Sequence, residues 1–167
     1  EVIASAVGRA LGFDVLKYSV AISGDRAGCL SKSMISHDET LIHGQQYLTA
    51  IKPDFEIDRG LDHNFQLLEE FLQSRPSYQN MIPKFIDMLI FDSIIGNRDR
   101  HQQNWALIRP NNLEIQGKIT YSQFIKLSKL IRFSPLFDNG NCLAYKILEN
   151  KIVSFLENES RFEKYLF

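Results

Sequence analysis

The sequence predicts an α+β fold, mostly helical, from three observations. Apolar residues recur at helical spacing in several separate windows. Two short runs rich in β-branched and aromatic residues flank a glycine turn near the start. A densely apolar stretch from Met81 to Ile95 reads as one buried helix. At 167 residues the chain can bury most of the surface that its unfolded form exposes. Its hydrophobic content of 44% and charged fraction of 23% are those of an ordinary soluble globular protein. A net charge of −1 gives no broad attraction to nucleic acid or to an anionic membrane, so direct nucleic-acid binding is not expected. Cys29 and Cys142 lie far apart without metal spacing, which predicts reduced thiols in a cytoplasmic protein. No apolar run has the length of a membrane span, and no signal peptide opens the chain. A start at Glu1 suggests a fragment or a processed product.

Taken in order, Val2, Ile3, Ala6, Val7, Ala10 and Leu11 predict a helix that stops at Gly12. Val15 to Ile22 predicts a strand, Ser23 to Gly28 a turn, and Cys29 to Ile35 a second strand. Asp38 to Ala50 reads as a short helix ended by Ile51-Lys52-Pro53-Asp54. Asp62 to Gln73 places Phe65, Leu68, Phe71 and Leu72 on one helical face, with Asp62 as N-cap, and Arg75-Pro76 breaks it. The apolar helix from Met81 should be the buried spine of its region, and Gly96 should release the chain from it. Trp105–Ile108 and Leu113–Ile119 read as a hairpin around Pro110-Asn111-Asn112. Tyr121 to Arg132 reads as a partly helical insertion, and Lys118, Lys126, Lys129 and Arg132 as a solvated basic face. Leu130 to Phe133 suggests a strand, and Leu143 to Phe167 a helical end.

The chemistry gathers after the apolar helix. Asn97-Arg98-Asp99-Arg100-His101 is followed by Asn104, and later by Phe137-Asp138-Asn139-Gly140. Phosphoryl transfer from a magnesium nucleotide needs such a set: one carboxylate to accept the hydroxyl proton, and an amide and a second carboxylate on the metal. The protein-kinase template reads H-R-D-x-x-x-x-N and then D-F-G. Here Asn97-Arg98-Asp99 with Asn104, and Asp138-Asn139-Gly140, keep the Asp-to-Asn spacing and the final glycine. Each piece alone has a bland reading, Asp99 as a turn cap and Asn104 or Asp138 as ordinary turn residues. Their common register favours the site. Other chemistries find no support. His37-Asp38 has no earlier histidine to make a phosphohydrolase set, and His43, His63 and His101 lack zinc spacing. No G-x-S-x-G motif is present.

Asp99-Arg100-His101-x-x-Asn104 resembles the catalytic loop of the lipid-kinase-like branch of the kinase superfamily. With Ile95-Gly96-Asn97 before it and Ser134-Pro135-Leu136-Phe137-Asp138-Asn139-Gly140 after it, the chain resembles the bacterial HipA-like serine/threonine kinases. The resemblance implies a bilobal kinase fold, ATP and magnesium as cofactors, a protein substrate, and a role as the toxin of a toxin–antitoxin pair. It implies Asp99 as base, His101 as a member of the catalytic loop that packs it, and Asn104 and Asp138 as metal ligands. Residues 1–35 would be a remnant of the small lobe, a helix and hairpin leading to a hinge at Ser31, Lys32 and Ser33 whose backbone binds adenine. Residues 36–167 would be the large lobe, with the catalytic loop at 97–104 and the metal-binding turn at 137–140. The family's glycine-rich loop and lysine strand would precede Glu1, so the isolated chain is expected to be inactive and to need a complementary small-lobe segment. Glu1 would either pair with that lysine or simply favour the helix N-terminus. Two rival readings stand beside this one. The first is a non-catalytic interaction module. The second, a phosphoinositide kinase, is disfavoured because Asn141 to Asn150 contains only Lys146 as a base.

Overall fold

The computed structural model describes residues 1–57, 62–74, 76–111, 120, 130–143, 153, 157–158 and 160. Its elements run α1 (Val2–Ala10), β1 (Tyr18–Ser23), β2 (Arg26–Ser31), β3 (Glu39–His43), α2 (Gly44–Ile51), α3 (Phe65–Gln73), α4 (Pro76–Gln79), α5 (Ile82–Ile95), β4 (Ala106–Pro110) and β5 (Arg132–Phe133). The α+β class follows directly. The chain divides into two compact units, and the division falls inside α5.

The first unit holds residues 1–32, 87–100 and 136–167. In it α1 buries a narrow face of Ala4, Ser5 and Gly8 rather than its larger residues, and Ile3 and Leu11 stay exposed. The reason is close approach. A Cβ on Gly8 would stand 2.6 Å from Val15 Cγ1 and 2.9 Å from Phe91 Cε2. Ser5 Oγ donates to Leu16 O (2.8 Å), which fastens the helix to the following segment. Val15 makes an isolated parallel bridge with Leu136, so the first strand starts later than its apolar run suggests. β1 and β2 pair antiparallel from Tyr18–Ser31 to Ser23–Arg26. The connection is a two-residue Gly24-Asp25 turn, shorter than expected, with Gly24 at φ 58°. The second strand therefore begins at Arg26 and ends at Ser31, not at Ile35.

The second unit holds residues 33–86 and 101–135. Its sheet has the order β3-β4-β5, antiparallel throughout. Glu39-Thr40-Leu41-Ile42-His43, expected in a helix, forms the edge strand β3, and the helix starts only at Gly44. Tertiary pairing with the buried Leu107 and Ile108 outweighs the weak local preference of this segment. β4 finds its partners in β3 and β5, and the expected strand Leu113–Ile119 lies outside the described residues. The cap of α3 is Asn64, whose Oδ1 accepts from Leu67 N (3.0 Å). Asp62, the expected cap, instead pairs with Lys52 and accepts from Glu56 N (2.7 Å). On α3 Leu67, Leu68, Phe71 and Leu72 are buried, whereas Phe65 is 61% exposed. Phe71, Tyr78, Phe85, Trp105 and Phe133 form an aromatic core, with Phe85 edge-on to both Trp105 and Phe133 at 4.8 Å.

The expected all-round burial of α5 is not observed. Phe85, Met88, Phe91, Asp92 and Ile95 are buried, while Ile82, Ile86, Leu89, Ile90 and Ile94 are exposed. The helix is one-sided even though its sequence is apolar on both faces. Most of the predicted basic insertion and helical end lie outside the described residues.

Candidate functional site

α5 ends where Gly96, at φ 61°, turns the backbone out of the helix. Asn97 follows, buried, with its backbone N–H on Asp92 O (2.9 Å) and its side-chain amide donating to Asp92 Oδ1 (2.9 Å). Asn97 Oδ1 in turn accepts from the backbone N–H of Asp99 (3.2 Å). Asp99 itself is exposed. A buried amide thus holds the base of an outward-facing carboxylate.

Arg100 occupies the centre of the arrangement. Its Nε and Nη2 form a two-pronged contact with Asp92 Oδ2 and Oδ1, both at 2.8 Å. Nη1 donates to Phe137 O (2.7 Å), and Nη2 also donates to Asn139 Oδ1 (2.6 Å). The side chains of this pair are only 7% and 9% exposed, so their attraction is little screened. Between the two residues that Arg100 touches stands Asp138, exposed and at φ 53°. A non-glycine residue holds that left-handed conformation at some cost, and such residues cluster at ligand sites. Asn139 beside it is fully buried, and Leu143 N donates to Ile95 O (2.8 Å), closing the segment against the end of α5.

The first unit also places Glu1 near this turn. A Cβ on Gly140 would lie 3.2 Å from Glu1 Oε1, and Glu1 Oε2 is buried without a hydrogen-bond partner. Glu1 stands at the N-cap of α1, yet its side chain makes no cap bond. Tyr18 belongs to the same neighbourhood. Burial, and then the negative charge of Glu1, push its phenol up to about 12, against a smaller opposing pull from a hydrogen bond with the Asp138 backbone. Burial likewise raises the Cys142 thiol, which keeps it a neutral packing group.

His101 and Asn104 belong to the second unit. Asn104 is buried, its N–H donating to His101 O (2.9 Å), and Gln103 N donates to His101 Nδ1 (3.3 Å). The segment is pinned to the start of α2 by Gln45 N on Gln102 O (2.8 Å) and Gly44 N on Trp105 O (3.0 Å). His43 Nδ1 lies 2.7 Å from Gln103 O, a contact that needs a hydrogen on that nitrogen. A Cβ on Gly44 would fall 2.1 Å from Trp105 Cε2, so only glycine lets the helix start this close to the indole. Of the suggested hinge residues, Ser31 ends β2 and is exposed, as are Lys32 and Ser33, and the division between units follows Lys32.

The structure therefore ties Asp99 and Asp138, far apart in sequence, to one buried pair within the first unit. Asn104 and His101 share a loop in the second. Asp92, Asn97, Arg100 and Asn139, which organise the first of these, were not among the expected site residues. A faint signal for Asp92 existed, since it interrupts an otherwise apolar helix. Among the described residues no three His, Cys, Asp or Glu side chains make a metal cluster. Zinc and calcium cages need such clusters, but magnesium takes one or two carboxylates and completes its shell with water and phosphate oxygens. An exposed hard-oxygen donor such as Asp138 fits that requirement.

No protein-family model matches the sequence. The chain is 26% identical over 149 residues to the serine/threonine-protein kinase CtkA of Helicobacter pylori, covering 86% of this chain and 39% of that protein. It is 34% identical over 62 residues to "Putative kinase Y4dM" of Sinorhizobium fredii, covering 37% of this chain and 14% of that one. The crystal structure of the H. pylori proinflammatory kinase CtkA matches the fold with a TM-score of 0.77 at 20% identity, over 100% of this chain and 53% of the other. The chain thus spans about half or less of the kinases it matches. It is a kinase-related protein with the α+β fold of that structure.

Proposed function

We propose that the chain is part of an ATP- and magnesium-dependent serine/threonine protein kinase of the HipA-like type. Residues 1–35 would contribute to its small lobe and 36–167 to its large lobe. Asp99 orients the acceptor hydroxyl and takes its proton as the bond to the γ-phosphorus forms and the bond from that phosphorus to the leaving ADP oxygen breaks. Asp138 and Asn104 hold the metal, which when bound neutralises charge on the transferring phosphate. His101 packs the catalytic loop, and the backbone of Ser31, Lys32 and Ser33 receives the adenine. Glu1, which lies beside Gly140 and has its Oε2 buried without a hydrogen-bond partner, accepts a lysine contributed by the small lobe. The HipA-like branch brings with it a protein substrate, and an antitoxin as partner.

One observation carries the reading. Two exposed carboxylates, Asp99 and Asp138, are mounted on a single buried hydrogen-bonded shell in a chain related to named kinases. Rate enhancement in phosphoryl transfer comes mainly from positioning and electrostatics, and an exposed acid on a rigid mount supplies both. The D-R-H-x-x-N string is shared with lipid kinases, but the nearly base-free segment after Gly140 favours a protein acceptor.

The test uses the intact protein that carries this sequence, with labelled ATP, magnesium and a generic protein acceptor. Asp99→Asn should lower transfer about a hundred- to ten-thousand-fold while leaving nucleotide affinity within a few fold. Asp138→Ala should weaken binding of the magnesium nucleotide itself. An intact protein that binds no magnesium nucleotide would sink the proposal, and one that binds it without transfer would favour a non-catalytic module.

A further inference from the structure

We infer that Arg100 is a positioning residue that sets the metal-holding turn, with Asp92 as its mount. The inference rests on the kinase reading above and adds a specific source for the geometry of Asp138. Arg100 reaches the turn through the two neighbours of Asp138. It grips the residues on either side, the Phe137 carbonyl at 2.7 Å and the Asn139 side chain at 2.6 Å. Asp138 lies between these grips in a left-handed backbone conformation, which persists in a non-glycine residue only where the surroundings fix it. The guanidinium is held in its plane because one edge, Nε with Nη2, is engaged by both oxygens of Asp92.

The same carboxylate reaches the other half of the chemistry. Asp92 Oδ1 accepts from Asn97, and Asn97 accepts from the backbone of Asp99. One buried acid on α5 therefore registers the proposed base and the proposed metal ligand through two different intermediaries. A buried ion pair is a poor means of gaining stability, since well-packed apolar residues of similar volume often serve as well or better. Its worth here is directional: a planar fork with several fixed donors holds two backbone segments at once. A lysine offers its donors from one nitrogen and cannot reproduce that fork.

The experiment compares Arg100→Lys with wild type in the intact protein, using a fluorescent ATP analogue titrated with and without magnesium, and a thermal melt for folding. Arg100→Lys should stay folded, bind the metal-free nucleotide within about twofold of wild type, and need about tenfold more magnesium for half-maximal metal-dependent binding. Asn139→Leu keeps the branched shape of the buried side chain, with somewhat more bulk, and removes one of the grips. It should shift the magnesium requirement in the same direction by a smaller factor. A folded Arg100→Lys with the wild-type magnesium requirement overturns the inference, as does an equal loss of binding with and without metal. If Arg100→Lys does not fold, Asn139→Leu decides, and failure of both to fold assigns the network to scaffolding alone. Wild-type protein that binds no magnesium nucleotide sinks the kinase reading instead.

Discussion

The two units keep their centres in order by different means. In the second, Phe71, Tyr78, Phe85, Trp105 and Phe133 pack ring against ring, and the Trp105 and Phe133 planes lie nearly parallel, 6° apart. In the first, the centre beside Asp99 and Asp138 is polar, an Arg–Asp pair with two asparagines whose every contact has a direction. Apolar packing stabilises in proportion to the area covered and tolerates small shifts. A network of hydrogen bonds to charged groups stabilises less for the burial it requires, but its directional bonds specify which backbone atoms meet and at what angle. A region that only has to hold together can use the first device. One that must hold two carboxylates in register needs the second.

The largest effects should separate the two. Trp105→Ala should cost about 3–5 kcal/mol in equilibrium denaturation, the usual result for emptying a large aromatic site. Asp92→Ala should cost a similar amount, about 3–5 kcal/mol, because it strands a buried guanidinium without its counter-charge. The contrast lies in function. Among variants of each centre that remain folded, those of the polar shell should lose magnesium-dependent nucleotide binding out of proportion to stability. Aromatic-core variants of equal stability should lose less. Proportional loss in both would erase the distinction.

Much of this was legible in the sequence, and the exceptions share a cause. Elements set by local rules, such as α1 stopping at Gly12 or the chain leaving α5 at Gly96, appear where glycine and periodicity put them. Elements set by partners do not. The segment 39–43 has helix-compatible residues, yet pairing with β4 makes it a strand. Phe65 fits the helical stripe of α3, but the helix turns Leu67 inward in its place. Asp62 has the chemistry of a cap and is taken by Lys52, which leaves the task to Asn64. At the candidate site, Asp99 and Asp138 could be singled out because each sits in a short local motif. The residues that hold them could not, since Asp92 and Asn139 meet through Arg100 across 47 positions of chain, and no periodicity encodes that meeting.

A smaller effect sharpens the picture within the first unit. Gly8→Ala would press a methyl group to 2.6 Å from Val15 and 2.9 Å from Phe91, so overpacking should cost about 1–3 kcal/mol in a thermal or urea melt. Gly28, on β2, has nothing within 4 Å of where a Cβ would stand. Gly28→Ala should leave the melt unchanged within error. If the two substitutions behave alike, the close approach of α1 to Val15 and Phe91 is not what holds that helix.

The smallest effect concerns the surface of the second unit and is read from its dependence on pH. Glu39 accepts from Ser36 N (3.0 Å) and Ser36 Oγ (2.9 Å), and faces Arg132 Nη2 at 3.1 Å. The Ser36 backbone N–H first, then its hydroxyl and Arg132, hold the carboxyl below its usual range. A folded-state value below the unfolded one means a contribution present above the unfolded value and lost as pH falls through the folded one. The difference in melting temperature between wild type and Glu39→Gln should therefore be steady at neutral pH, then shrink as the solution is acidified below the ordinary carboxylate range. Added salt should reduce its Arg132 component, since the pair lies at the surface. The Trp105→Ala difference contains no such ionisation of Glu39 and should not follow the same curve. A Glu39→Gln difference that survives acid unchanged would place its origin in packing rather than charge, and would extend the apolar logic of the second unit to its edge strand.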